Sequence, residues 1–369
     1  MNGLTFLARA KPLLHCSVSS VVRVWRTLGK LAAVLILATL TSVAAHSATT
    51  TCTEQFVPVN LPLPVGPQTV YGQLCVPNSI KSSTVQVLIH GLTYSHSYWD
   101  WSYKPVIYSY VRVMNAAGYS TFAIDRIGIG KSSHPPSVAI TLETNAYVVH
   151  QLVQGLRSGA IGGKGFSRVI TVGHSYGSLT AVVESSTWND VDGVILTGMS
   201  HVFSALGPLI LLPTLTFTWL DPILAPQKLP LSYLTTLVGT RQNSFYYAPN
   251  ADPLVVALDE QTKATVTLTE VATVLDYMVA TFAIKAPVLV VNGDFDQLFC
   301  GLLPPCSSPL STFNLESTFY PNAKSYQQVV IPNAGHSINL QRNAQVWFAI
   351  ARNWVDTLAS GRTPAGVKK

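Results

Sequence analysis

Charged residues are scarce in this sequence. Asp, Glu, Lys and Arg together make up 11% of the 369 residues, whereas hydrophobic residues make up 48%. This composition excludes a disordered polyelectrolyte, because the chain has ample apolar surface to bury and little charge to keep it extended. The length accommodates one α/β domain with an insertion, or two domains. We therefore expect a globular or a membrane-associated protein.

Acidic residues are absent from residues 1–47, although this segment is basic. The chain has a net charge of +6, and five positive charges lie in that segment, on Arg9, Lys11, Arg23, Arg26 and Lys30. The remainder of the chain is thus close to neutral. Because the positive charge adjoins an apolar run and not a folded surface, we expect no nucleic acid as a partner.

An apolar run long enough to span a bilayer is also missing from the N-terminal region. Residues 31–45, "LAAVLILATLTSVAA", follow Lys30 and end in small residues, and the run is shorter than the roughly 20 apolar residues of a membrane-spanning helix. This order predicts a signal peptide over residues 1–47, cleaved after Ala45 or Ser47, and a secreted folded domain over 48–369. The alternative is an uncleaved signal anchor, which would be the protein's only attachment to a membrane.

Cysteines are few, and their number is informative. Cys16 lies in the predicted leader, so the exported chain retains four cysteines. An even number fits an oxidising compartment. The simplest of the three possible connectivities joins Cys52 to Cys75 and Cys300 to Cys306. The glycosylation motif N-x-[ST] does not occur, so export implies no N-glycan at that motif.

Recognisable cofactor and metal motifs are lacking. Residues 128–132, "GIGKS", resemble the end of a phosphate-binding loop, but the full pattern requires a glycine where Asp125 stands. His90 and His96 lie too far apart on an irregular segment to suggest a metal site. We therefore expect neither a cofactor nor a metal.

Short apolar runs do recur along the chain, with helix-like stretches between them. Their β-branched, apolar character on both alternating faces predicts buried parallel strands, and thus an α/β fold with a mostly parallel, doubly wound sheet. The predicted strands are residues 85–89, 120–124, 168–172, 193–197, 287–291 and 327–331.

The segment between the fourth and fifth of these strands, about residues 199–286, is far longer than a crossover helix requires. Its first part is strongly apolar but is interrupted by Pro208, Pro213, Pro222 and Pro226, which argues against a membrane-spanning helix. We predict a cap or lid of short helices over a pocket. The alternative is an ordinary helical layer packed on the sheet.

The pattern Gly173-His174-Ser175-Tyr176-Gly177 follows a predicted strand and precedes a helix-like stretch. The G-x-S-x-G pattern alone is weak evidence, but strand, turn and helix are the order of a nucleophile elbow. A serine nucleophile needs a base that is oriented by a third group. Candidates follow later strands, namely Asp294 and Asp296 after residues 287–291 and His336 after residues 327–331.

Four motifs in this order resemble the α/β-hydrolase superfamily, in the serine hydrolase form with a simple H-G oxyanion loop. They are "LIHGLTY" (88–94), "AIDRIGIGKS" (123–132), the elbow, and the paired "VNGDFDQ" and "NAGHS" loops. The resemblance spans roughly residues 70–360, except the insertion. It implies a catalytic triad of Ser175, Asp296 and His336, with Asp294 as the second choice of acid. It also implies that the backbone N–H groups of Leu92 and Tyr176 form the oxyanion hole.

The resemblance assigns structural roles to other polar residues of these motifs. His90 is expected to brace the oxyanion loop, and Asp125 and Arg126 to form an internal hydrogen-bonded pair. Aromatic residues after the oxyanion loop are expected either to line the pocket or to pack against the cap. The pocket candidates are Tyr94, Tyr98, Trp99 and His174.

The resulting prediction is a secreted serine hydrolase that cleaves an ester, lactone or thioester of a hydrophobic small molecule or lipid through an acyl-enzyme. Amide hydrolysis, acyl transfer and secondary-metabolite processing use the same triad and remain alternatives. A non-catalytic binding protein of the same fold is a further alternative, although such proteins usually lose a triad member. The oligomeric state is not predicted.

Overall fold

The computed structural model describes residues 49–201, 207–300 and 305–365. These residues fall within one compact unit, His46–Lys369, whereas the predicted leader over residues 1–47 lies outside the described residues. Within the described ranges, no helix combines the length and the apolar character needed to cross a membrane.

The strands build an eight-stranded sheet in the order β1-β2-β4-β3-β5-β6-β10-β11 and a small separate sheet of β7, β8 and β9. From β4 to β11 every neighbouring pair in the large sheet is parallel, and the β1–β2 hairpin adds two antiparallel strands at one edge. The strands are β1 (Thr50–Leu61), β2 (Gly66–Pro77), β3 (Thr84–Ile89), β4 (Ser120–Ile124), β5 (Arg168–His174), β6 (Gly193–Thr197), β7 (Leu215–Phe217), β8 (Tyr233–Thr236), β9 (Val266–Thr267), β10 (Val288–Gly293) and β11 (Tyr326–Ile331).

Helices connect these strands and cover the sheet. The α-helices are α1 (Pro105–Tyr108), α2 (Tyr110–Ala116), α3 (Leu142–Ser158), α4 (Tyr176–Trp188), α5 (Gly207–Leu211), α6 (Arg241–Phe245), α7 (Pro253–Gln261), α8 (Leu268–Ala272) and α9 (Ala344–Ala359). Single-turn and longer 3-10 helices cover His96–Tyr98, Ser137–Ala139, Leu212–Thr214, Thr218–Leu220, Ala225–Gln227, Ala248–Asn250, Ala280–Ala283, Thr312–Phe319 and Ile338–Leu340.

Two hydrophobic clusters pack on opposite faces of the large sheet. One contains the apolar faces of α3 and α4, and the other contains those of α2 and α9. Strands β3, β4, β6 and β10 are buried along their whole length, as strands covered on both faces must be. The predicted doubly wound α/β sheet is confirmed, and each of the six predicted strands is present.

The β1–β2 hairpin is the part of the sheet that sequence analysis did not predict. Prolines occur in both strands and in the turn, and proline disrupts the pattern of a central strand because it lacks the N–H donor. An edge position tolerates it, and most side chains of β1 are exposed or half-buried. The predicted disulfides are present: Cys52 on β1 is bonded to Cys75 on β2, and Cys300 is bonded to Cys306.

The insertion, residues 199–286, differs from the expected cap of short helices. It contains α5 to α8 but also the antiparallel sheet of β7, β8 and β9, so the cap is mixed and not purely helical. A buried ion pair stabilises it, with Arg241 donating to both oxygens of Asp259 at 2.9 and 2.8 Å. Backbone hydrogen bonds join Thr93, next to the oxyanion loop, to Ala264 and Thr265 of the cap.

Candidate active site

Ser175 lies at the sharp turn between β5 and α4. Its φ of 53° and ψ of −122° are a strained combination for a residue with a side chain. The neighbouring glycines make this turn sterically possible: a Cβ atom on Gly173 would lie 2.4 Å from the Cα atom of Ser178, and one on Gly177 would lie 2.1 Å from the carbonyl oxygen of Ile89. The chain therefore has the sharp strand-to-helix turn of the predicted elbow, with Ser175 partly exposed at its tip.

His336 and Asp296 come together from loops that follow β11 and β10. His336 Nδ1 is 2.9 Å from Asp296 Oδ2, and both side chains are almost completely buried. The other carboxylate oxygen, Asp296 Oδ1, accepts hydrogen bonds from the backbone N–H groups of Leu298 and Phe299 at 3.0 and 3.2 Å. These contacts hold the carboxylate so that one oxygen orients the imidazole.

Asp294, the second choice of acid, has a different partner. Its Oδ1 accepts a hydrogen bond from the backbone N–H of Ala334 at 3.2 Å, and its own N–H donates to the carbonyl oxygen of Ile331. These contacts tie the loop after β10 to the loop after β11. Asp294 thus positions the loop that carries His336, and Asp296 contacts the imidazole.

The elbow and the histidine loop meet through His174. The ring centroids of His174 and His336 lie 4.8 Å apart, and His174 Nδ1 is 3.1 Å from the hydroxyl oxygen of Thr197. Burial, together with the neighbouring His336 and His90, lowers the pKa of His174 well below its usual range. His174 is therefore a neutral packing residue beside the imidazole of His336.

The loop that carries Leu92 passes directly beside the elbow. A Cβ atom on Gly91 would lie 3.0 Å from the Cβ of Ser175, so a larger residue would crowd this approach. Leu92 and Tyr176 both line the cavity that contains Ser175. Tyr176 is also the first residue of α4, where backbone N–H groups lack intrahelical acceptors.

His90 braces this loop, as expected. Its Nε2 accepts a hydrogen bond from the backbone N–H of Arg126 at 3.1 Å, and its carbonyl oxygen accepts one from Arg126 Nε. Burial and the nearby guanidinium lower the pKa of His90 to about 3. The imidazole therefore stays neutral at ordinary pH, because its Nε2 must keep a lone pair to accept this bond.

Arg126 and Asp125 do not form the pair expected from the sequence. Arg126 forms a buried ion pair with Glu270 of the cap, and its guanidinium lies 4.6 Å from the ring centroid of Tyr176. Asp125 instead accepts hydrogen bonds from the backbone N–H and Nδ1 of His96 at 2.8 and 2.7 Å. Arg126 thus links the loop of His90, the residue after Ser175 and the cap.

Sequence analysis missed the role of Glu270, although a local signal was present. Thr267 and Glu270 form a capping box at the start of α8, and this box is visible in the sequence as Thr-x-x-Glu. The box predicts the helix start only. The bond to Arg126 joins residues 144 positions apart, which no local pattern encodes.

A cavity of about 340 Å³ opens next to Ser175. Its wall is almost entirely apolar, and it combines residues of the sheet end, the cap and the loop after β10. The lining residues are Leu92, Ser175, Tyr176, Leu179, Gly207, Pro208, Leu211, Leu212, Leu215, Val271, Val274, Leu275, Leu298 and Phe299. The insertion, residues 199–286, supplies eight of these fourteen residues.

None of the four predicted pocket residues is among the lining residues of this cavity. Tyr98 stacks on the imidazole of His174 with ring centroids 4.4 Å apart, and the hydroxyl of Tyr94 contacts Ser337 and Asp259. Trp99 packs against Tyr110 and Trp347 in the core. All four are buried, so the packing alternative describes them.

Near Ser175 the described residues offer no cluster of three metal-ligating side chains. Such a cluster occurs elsewhere, between α3 and the end of α4, and consists of His150, Glu184 and Asp190. The geometry around Ser175 instead provides a serine, a buried imidazole–carboxylate pair and an apolar cavity. Together these groups suit nucleophilic attack on a carbonyl group beside an apolar substituent.

The chain belongs to the alpha/beta hydrolase family. Residues 86–349 match this family, which is more than half of the chain and includes the elbow, the cap and both downstream loops. No curated protein is similar enough to this chain to count as a match.

Solved structures with the same fold include several hydrolases of low sequence identity. A thermophilic esterase from Thermogutta terrifontis has a TM-score of 0.57 at 17% identity, over 83% of this chain and 99% of the esterase. A carboxyl esterase from Bacillus coagulans has a TM-score of 0.58 at 16% identity, over 84% and 100% of the two chains. A monoglyceride lipase from Saccharomyces cerevisiae has a TM-score of 0.57 at 15% identity, over 83% and 96%. At these identities the likeness concerns the fold.

Proposed function

We propose that this protein is a serine hydrolase that cleaves carboxylic esters with an apolar acyl or alcohol group. The observation that carries the proposal is the position of Ser175. It stands at a strained elbow on the wall of an apolar cavity. The loops after β10 and β11, which follow the C-terminal ends of strands parallel to β5, contain an imidazole–carboxylate pair. A serine, a base and an orienting acid are the groups that acyl transfer requires.

In the proposed reaction, the Oγ of Ser175 attacks the ester carbonyl carbon while His336 accepts the hydroxyl proton. His336 then donates that proton to the departing alcohol, which leaves an acyl group on Ser175. A water molecule, deprotonated by the same imidazole, hydrolyses this acyl-enzyme. Asp296 keeps the imidazole oriented and stabilises its protonated form through the bond to Nδ1.

The carbonyl oxygen gains negative charge during attack and needs donors. The N–H groups of Tyr176 and Leu92 are our candidates, because both residues line the cavity beside Ser175. In known cases the loss of one such donor costs about 10² to 10³ in rate. Arg126 contacts both segments that contain these N–H groups: its guanidinium lies over the ring of Tyr176, and its Nε donates to the carbonyl oxygen of His90, two residues before Leu92.

The apolar cavity wall favours a hydrophobic substrate. Desolvation of an alkyl or aromatic group contributes roughly 25 cal/mol per Å² of buried apolar area, and the leucine and valine side chains of the cap offer such a surface. The named relatives include a carboxyl esterase and a monoglyceride lipase, which agrees with an ester of this kind but does not select one.

A serine substitution with a matched control tests this proposal. Ser175→Ala is expected to reduce kcat on p-nitrophenyl esters by roughly 10⁴ or more, because no other group takes over nucleophilic attack. It should also abolish labelling by a fluorophosphonate probe. The control is Ser186→Ala, on the same helix α4, where the hydroxyl donates only to the carbonyl of Val183; this variant should keep both properties. Full activity in Ser175→Ala would refute the mechanism.

A panel of substrates narrows the reaction type. We expect turnover of esters with medium-length acyl chains to exceed that of the matching amides and lactones. Equal or faster turnover of amides would replace the esterase proposal by an amidase, with Ser175 in the same role.

We further propose that the folded domain is exported. The disulfides Cys52–Cys75 and Cys300–Cys306 suit an oxidising compartment, and the basic, apolar and small-residue order of residues 1–47 suits a signal peptide. Sequencing the N-terminus of the mature protein tests this proposal. A start near residue 46 or 48 supports it, and retention of Met1 indicates a signal anchor.

A further inference from the structure

Far from the elbow, two carboxylates face each other without a donor between them. Glu184 on α4 is completely buried, and neither of its carboxylate oxygens has a hydrogen-bond partner among the described residues; the same holds for Asp190 Oδ1. Glu184 follows Ser175 by nine positions, which is about 13 Å along a helix. The cluster is thus separate from the proposed catalytic groups.

An imidazole completes this cluster. The Nδ1 of His150, on α3, lies 2.8 Å from Asp190 Oδ2. One ligand-type atom from each of the three residues lies within 4.8 Å of the other two. The ring of His150 stacks on Trp188 with centroids 4.5 Å apart, so its orientation is fixed before any ligand binds.

The guanidinium of Arg157, the nearby cation on α3, pairs with other acceptors. It donates to the backbone carbonyl of Asp190 and to the carboxylate of Asp192. Gln154 donates its neutral amide to Asp190 Oδ2 at 2.6 Å and so orients this carboxylate. Two adjacent carboxylates, one of them buried, require either a shared proton or a bound cation.

We propose that His150, Glu184 and Asp190 bind a divalent transition-metal ion of the zinc type. One imidazole nitrogen and two carboxylates are ligands that Zn²⁺ accepts at about 2.0–2.2 Å. The imidazole disfavours Mg²⁺ and Ca²⁺, and the lack of a sulfur ligand disfavours Cu(I). Half-exposed His150 and Asp190 leave the remaining coordination positions to water.

The cluster joins two helices, because His150 lies on α3 and Glu184 lies on α4. The structural effect of a bound metal ion would be to tie α3 to the C-terminal end of α4, the helix that begins at the elbow.

Zinc binding by the full-length protein tests the proposal. The native protein and the Glu184→Gln variant are each treated with a chelator, supplied again with Zn²⁺ and passed through a gel-filtration column. Elemental analysis should then find one more zinc ion per chain in the native protein than in the variant. Zn²⁺ should also raise the unfolding temperature of the native protein by about 3 °C or more, and not that of Glu184→Gln. Glu143→Gln removes an exposed carboxylate of α3 outside the cluster and should behave as the native protein.

A second variant and a direct observation keep the test decisive. If Glu184→Gln does not fold, half-exposed His150→Gln replaces it in the same comparison. An anomalous-diffraction peak at the zinc edge between the three side chains would establish the site. Equal zinc content in native and variant protein, or a peak only at another histidine, would overturn the proposal and leave a proton shared by the two carboxyls.

Discussion

On the sheet side of the Ser175 cavity, the backbone is packed so closely that Gly173 and Gly177 cannot hold a methyl group. On the cap side, the wall consists of leucine and valine side chains such as Leu211 and Leu275, many of them partly exposed. The shape of the sheet side therefore depends on close backbone packing. The shape of the cap side depends on the size of apolar side chains, which other apolar residues could replace. Under the proposed function, residues of the sheet side would carry out the reaction, and residues of the cap side would select the substrate.

The largest effect is expected on the sheet side, at the acid. Asp296→Asn should lower kcat by roughly 10⁴, because an amide no longer stabilises the protonated imidazole or its required tautomer. Asp294→Asn should change kcat little, since an amide oxygen still accepts the hydrogen bond from Ala334. Steady-state kinetics on one ester measures both variants. If the two losses are equal, the assignment of Asp296 as the acid is wrong.

A pair of glycine substitutions compares the two sides by stability. Gly177→Ala is expected to lower the free energy of unfolding by about 3 kcal/mol, because the new Cβ would lie 2.1 Å from the carbonyl oxygen of Ile89. Gly239→Ala in the cap has a φ of +81° but open space around it, so we expect a loss of about 1 kcal/mol. Urea unfolding gives both values. Similar losses would contradict the distinction between a crowded elbow and an open cap.

His90, on the sheet side, should make stability depend on pH. Its pKa is about 3 in the folded protein because of burial, against an ordinary value of 6.5. The unfolded chain therefore takes up the extra proton as the pH falls below about 6.5, which favours unfolding; above pH 7 the contribution vanishes. Between pH 7 and pH 5 this residue should remove about 2 kcal/mol of stability.

The measurement compares urea unfolding of the native protein and of His90→Gln at pH 7 and pH 5. The variant should lose less stability over this interval by about the stated 2 kcal/mol, because contributions of all other groups cancel in the difference. Parallel pH profiles would show that His90 is not held neutral.

The smallest effect is expected on the cap side. Leu211→Trp adds volume to the cavity wall and should reduce kcat/KM for long-chain esters by about tenfold, while acetate esters are little affected. Leu209 is 69% exposed and is not among the lining residues, so Leu209→Trp is the control. Kinetics with a series of acyl chain lengths distinguishes the two. A uniform loss across chain lengths would indicate damage to the sheet side instead.

Sequence analysis predicted the sheet side better than the cap side. The six central strands and the elbow follow from short patterns, because a buried strand and a tight turn each restrict the residues within them. The hairpin at the sheet edge was missed, since edge strands tolerate the prolines that obscure its pattern. The three short strands of the cap were missed as well, and the aromatic pocket candidates proved to be core residues.

Two further features required the tertiary structure. The family resemblance made Asp296 the first choice of acid and Asp294 the second, and the separate partners of the two carboxylates, His336 for Asp296 and the backbone N–H of Ala334 for Asp294, are visible only in space. The partners of Arg126 likewise lie far away in the chain, on Glu270 and the ring of Tyr176. Neither contact has a periodicity or a spacing that marks it.

By itself the sequence determined the strands, the order of the serine, acid and histidine, and the turn that forces Ser175 into its strained conformation. These depend on steric and periodic constraints between neighbours in the chain. Only the tertiary structure decided which partners Arg126 has, which residues of the insertion line the cavity, and that His150, Glu184 and Asp190 meet. These depend on long-range packing, which brings distant side chains together without leaving a local pattern.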